Sequence, residues 1–159
     1  MSCVEGNAIA HLVVSLATKR GTVYLDLLHP DATDDGRAFE LLNIERQGIT
    51  PAQLAELQQR YELSDRTLLA LLGINQRTLQ RRRQLDSPLS PGDSANFLEI
   101  ARVLAFVSSV FGEPEKAVRW LRRPNRALNG EVPLDLLATS TGRGMVRDVV
   151  GRIAHGVFA

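Results

Sequence analysis

The chain has 159 residues, 17.5 kDa, of which 44% are hydrophobic and 23% charged. That suits one ordinary domain or two small ones and excludes wholesale disorder. The net charge is only +1, but residues 1–50 hold four Lys/Arg against seven Asp/Glu, residues 51–111 seven against six, and residues 112–159 eight against five; an acidic head before a basic body suits a nucleic-acid or acidic-protein partner.

The single cysteine, Cys3, excludes a disulfide framework and fits a reducing, cytoplasmic setting. The apolar run at 8–17 is too short to span a bilayer and has no basic segment before it, which argues against a secretory signal. Residues 1–36 read as an N-terminal arm: stretches 13–16 and 22–28 have strand-like composition, and a polar loop follows from Pro30 to Gly36. A loosely ordered tether and a strand or short helix that pairs two subunits both fit this arm.

Helical periodicity starts at 37–47, where Phe39, Leu42 and Arg46 share a face with Leu41 and Ile44 alongside, and Gly48 closes the segment. Thr50, Pro51 and Gln53 form a helix start with a capping box, followed at helical spacing by Leu54, Leu57 and Tyr61. Ser64 caps the next helix, whose apolar face is Leu68, Leu69, Leu71 and Leu72. Gly73 marks a tight turn that needs positive φ, Ile74 fills the corner, Asn75 caps a second short helix, and Leu79 points inward from it.

A loop at 86–92 leads to a long helix opened by Asp93 or Ser94, with Phe97, Ile100, Ala101, Leu104, Val107 and Ser108 at 3–4 spacing, and Gly112 ends it. Glu113 and Pro114 start a short helix carrying Ala117, Trp120 and Leu121, in which Trp120 reads as core. Pro124, Asn125, Gly130 and Pro133 hold Leu128 in a turn; a helix of one to two turns at 133–139 and a last helix at 145–155 complete the chain. No strand is readable after residue 36, so the expected fold is all-α.

The outer side of the second short helix carries amides and guanidinium groups, the side chains that read base edges in a major groove. Arg77 or Arg81 suits guanine, Gln76 or Gln80 suits adenine, and Arg82 and Arg83 suit phosphates. Residues 64–83 resemble the helix-turn-helix of Xre-type repressors, with Gly73 at the turn and Ile74 and Leu79 as anchors. That resemblance implies Asn75, Gln76, Arg77, Gln80, Arg81 and Gln84 at the groove; Leu69 and Arg82 depart from the usual inward residues. One such module covers about 600–1,000 Å² of surface, so a homodimer on two half-sites is expected. Leu89, the helix at 94–111 and the N-terminal arm are all open as its contact.

The second half carries Phe111-Gly112, Ala117, Trp120-Leu121, Pro124-Asn125, Leu128, Gly130, Pro133 to Leu137, Gly142, Val146, Ile153 and Gly156. In that order and spacing, the segment resembles the toxin-binding domain of Xre/MbcA/ParS antitoxins; His155 departs from the aromatic common before the glycine. The resemblance implies three parts: an arm at 1–36, a helix-turn-helix domain at 37–110 and a toxin-binding domain at 111–159. It also implies a partner, a RES-domain toxin that consumes NAD, whose cleft the antitoxin covers while repressing its own operon. The candidate toxin contacts are Arg143, Arg147, Arg152, His155, Val157 and Phe158, three cations beside an apolar end that fit a phosphate-binding cleft.

His11, His29 and His155 lie far apart with no cysteine or paired carboxylate at ligand spacing, so neither catalysis, nor a metal, nor a cofactor is expected. A stand-alone transcriptional regulator with a dimerising or ligand-binding C-terminal domain, and an adaptor whose arginines serve only a protein, are the competing readings.

Overall fold

The structure, a computed structural model, describes residues 35–156; the expected arm with its strand-like stretches, and residues 157–159, lie outside the described residues. Among the described residues every regular element is helical, as expected: α1 Asp35–Gln47, α2 Pro51–Arg60, α3 Asp65–Leu72, α4 Gln76–Gln84, α5 Pro91–Phe111, α6 Pro114–Leu121, a 3-10 turn Arg126–Leu128, α7 Pro133–Leu136 and α8 Ser140–Ala154.

Local chemistry sets most of these boundaries. Thr50 and Gln53 make the reciprocal capping box at the start of α2, and Pro51 occupies the first turn, where its missing N–H costs nothing. Ser64 accepts from Thr67 N at 3.1 Å to open α3, and Asn75 accepts from Thr78 N at 2.8 Å to open α4. Gly73 between them has φ 68°, a left-handed conformation that disfavours a β-carbon.

Four expectations are corrected. α5 begins at Pro91, not at Asp93 or Ser94, because Ser90 caps it by accepting from Asp93 N at 3.2 Å and Pro91 takes the first turn. α7 stops at Leu136 and α8 begins at Ser140, five residues before the expected Met145, because Thr139 accepts from Gly142 N at 3.0 Å as its N-cap. The inward residues of α1 are Leu41 and the half-buried Ile44, whereas Phe39 and Leu42 are 67% and 37% exposed. Leu89 is buried and so unavailable as a dimer contact, and most apolar side chains of α5 are buried with it.

α5 is the spine. It buries Phe97, Leu98, Ile100, Ala101, Val103, Leu104, Ala105 and Val107, and packs against α1 and α3 in one half and α6 and α8 in the other. It is long and apolar enough to cross a membrane by length and composition alone, but within this fold much of it is core. Its one buried polar side chain, Ser94, accepts from Ile49 N at 3.0 Å, so the hydroxyl is satisfied and the α1–α2 link is tied down. A single apolar cluster runs from Leu41 to Val150 and spans the expected boundary near residue 110.

In the first turn of α8, a β-carbon on Gly142 would lie 2.0 Å from the Leu136 carbonyl oxygen, while one on Gly144 would meet nothing within 4 Å. Gly142→Ala is therefore expected to destabilise the protein by about 3 kcal/mol or more. Gly144→Ala, two residues along the same helix, should stabilise it by about 0.5–1 kcal/mol. Urea denaturation of the two variants checks this, and equal midpoints would contradict the close approach.

Candidate functional site

The polar face of α4 is held out by one anchor, Leu79, the helix's only fully buried residue. Gln76, Arg77, Gln80, Arg81 and Gln84 are exposed, and their side chains make no hydrogen bond or ion pair with other described residues. Asn75 is exposed too, but its Oδ1 is committed to the cap, leaving its amide hydrogens for an external acceptor. A helix nine residues long thus presents a row of amides and guanidinium groups to solvent on a supported frame.

Arg83 differs from its neighbours. Its guanidinium donates to both carboxylate oxygens of Asp65 at 2.8 Å and to Gln58 Oε1 at 2.8 Å, joining α4 to α3 and α2. Gln58 Nε2 closes the group by donating to Asp65 Oδ1 at 2.9 Å and to the Leu63 carbonyl at 3.2 Å. Those hydrogen bonds, with Arg83 first, hold the Asp65 carboxyl down at about 2. In this arrangement Arg83 braces the bihelical unit, and Arg82 beside it is half-buried.

The expected contacts of the second half fall into two groups. Arg143 donates to the Leu137 carbonyl at 2.9 Å and so helps seat α8 on the preceding turn. Arg147, Arg152 and His155 are exposed on α8 and its C-terminal cap, whereas Val157 and Phe158 lie outside the described residues.

Trp120 departs from the core reading: it is only half-buried, and its ring lies 5.5 Å from that of Phe111 at 37°. The pair lines an open groove of about 450 Å³, rimmed by Lys116, Arg119, Arg123 and Asn125. Lys116 pairs with Glu113 at 3.0 Å, while the Arg119 and Arg123 side chains are exposed and make no pairing with other described residues. The sequence carried a signal for this groove in the 3–4 spacing of Lys116, Arg119, Trp120 and Arg123 along one helix and its end. Arg122 points elsewhere, donating to the Tyr61 carbonyl at 3.5 Å and to the Glu62 carbonyl, which links α6 to the α2–α3 turn.

Among the described residues, no group of three or more His, Cys, Asp or Glu side chains is placed to hold a metal. A bihelical unit with an exposed polar face is thus joined by one spine to a bundle with a basic aromatic groove. Residues 108–156 match the family described as the antitoxin Xre/MbcA/ParS C-terminal toxin-binding domain. The chain is 37% identical over 93 residues to an Antitoxin Xre of Yersinia enterocolitica, covering 58% of this chain and 63% of the relative, so it spans less than two thirds of that protein's length. It is 29% identical over 130 residues to an Antitoxin Xre of Pseudomonas putida, covering 81% of this chain and 72% of the relative. A Sphingobium protein named Prs ADP-ribosylating antitoxin is 25% identical over 127 residues, covering 74% and 80% of the two chains. Residues 108–156 thus carry the mark of the Xre/MbcA/ParS toxin-binding domain, and the chain around them is similar to proteins named Antitoxin Xre.

The Asp65 brace has a pH signature. Its folded-state value of about 2 lies below the ordinary 3.8, so its contribution is complete above pH 4 and is lost as pH falls toward 2. With Asp65 56% exposed, that contribution is at most about 1 kcal/mol. Denaturation of the wild type and Asp65→Asn should differ by this amount at neutral pH, and the difference should vanish as pH approaches 2; a gap unchanged by acid would contradict the brace.

Proposed function

We propose that this chain is an antitoxin that binds and neutralises a RES-domain toxin that degrades NAD, covering the toxin's active site through residues 108–156, and represses its own operon through α4. The match of that segment to a toxin-binding domain carries the reading. The name of the Sphingobium relative, with its mention of ADP-ribosylation, points toward the same area of chemistry. No catalysis is assigned to this chain; it acts by occupying another protein's pocket.

For the toxin, the reading places Arg147, Arg152 and His155 at the partner, with Arg143 seating α8 behind them, and adds Val157 and Phe158, which follow in sequence. For the operator, Gln76, Arg77, Gln80 and Arg81 read bases, Asn75 and Gln84 flank them, and Arg83 reaches DNA only by exchanging its carboxylate for a phosphate. A homodimer places two such helices on successive half-sites.

Expression of the adjacent reading frame alone should arrest growth and lower cellular NAD, and co-expression of this chain should reverse both. Rescue by a chain cut before residue 108 would overturn the neutralisation half. Arg77→Ala and Gln80→Ala should each weaken operator binding by about 1–3 kcal/mol, in a salt-dependent assay on the operon's own upstream DNA. Wild-type affinity in both variants would overturn the repressor half.

A further inference from the structure

The groove between Phe111 and Trp120 is not used by the reading above, which places the toxin on α8. Its chemistry is unbalanced. Residues 111–126 hold five basic side chains, Lys116, Arg119, Arg122, Arg123 and Arg126, against two acidic ones, Glu113 and Glu115. Of these, Arg122 is spent on the α2–α3 turn and Lys116 on Glu113. Arg119 and Arg123 remain on the rim, exposed and without a partner among the described residues, beside an indole that is only half-covered.

Half-buried Trp flanked by exposed Arg is the composition of an interface anchor: both residue types are enriched where binding energy concentrates between proteins. The groove is open rather than enclosed, whereas a small-molecule site wraps most of its ligand's surface. All of its lining residues fall within 108–156, the segment matched to the toxin-binding domain.

We infer that this groove is a second docking site for the toxin, receiving an acidic segment with an apolar side chain that inserts against Trp120 while its carboxylates meet Arg119 and Arg123. The inference rests on the proposed function for the identity of the partner. It adds a contact separate from the pocket-covering surface, and so a way for the complex to hold when the toxin's cleft is occupied by its own substrate. Two linked contacts raise overall affinity well beyond either alone.

Trp120 is the chain's only tryptophan, so its emission reports the groove directly. The full chain is titrated with a short synthetic peptide of glutamates around one leucine, with the same peptide carrying glutamines, and with ADP. The acidic peptide should shift Trp120 emission saturably and bind at least tenfold more tightly than the glutamine peptide. The double variant Arg119→Glu/Arg123→Glu should abolish that shift and weaken the complex with the protein of the adjacent reading frame at least tenfold. Both side chains are exposed and unpaired among the described residues, so its thermal melt should match the wild type; a lowered melt would overturn their reading as free cations, and Arg119→Gln/Arg123→Gln, which removes charge without reversing it, should still weaken the complex. ADP binding more tightly than the acidic peptide would overturn the inference in favour of a small-anion site. A normal complex from the double variant would overturn the groove alone and leave the proposed function standing. No complex from the wild type would overturn the proposed function, and the groove's partner with it.

Discussion

Burial of α5 is the constraint on which the rest of this molecule depends. A helix with apolar side chains around most of its circumference cannot rest against a single neighbour, so it draws elements onto several sides. Here those are α1 and α3 from the first half and α6 and α8 from the second. Each fully buried Leu, Ile or Phe along it is stabilised by about 1.5–3 kcal/mol relative to exposure. The polar face of α4 and the groove beside Trp120 therefore belong to one core, and the polar groups near the spine, Ser94 above all, are ones that find partners.

What was legible in the sequence follows from how local each cause is. The caps at Thr50, Ser64 and Asn75, the turn at Gly73 and the inward Leu79 are set by residues a few positions apart, and the structure has them as read. The all-α class followed from the same periodicity. The start of α8 was not legible, because Gly142 reads as a breaker until the Leu136 carbonyl occupies the space a side chain would need. The inward face of α1 was missed for a related reason: Phe39 and Leu41 fit a helical stripe equally well, and only the position of α5 chooses between them.

The arginines show the limit most clearly. In sequence, Arg81 and Arg83 are alike, as are Arg122 and Arg123, yet Arg83 is bound to Asp65 and Gln58 and Arg122 to main-chain oxygens of the α2–α3 turn. Their partners lie 18 to 61 residues away. Which guanidinium group is internal and which is offered to a partner depends on such distant pairings, so no local pattern separates them. The family resemblance was legible because it rests on ordered spacing across the whole second half, and the match to residues 108–156 agrees with it.

Asn96 draws these threads together. From α5 its amide donates to the Leu72 carbonyl at 3.3 Å and to that of Leu71 at 3.5 Å, satisfying oxygens that the end of α3 leaves without helical donors. The second turn of the spine thereby closes off the frame on which the outward-facing amides and guanidinium groups are mounted. A fragment ending short of Pro91 would strip those oxygens of their donor and bare the leucines beneath them, so the bihelical unit has to carry the spine along to stand by itself.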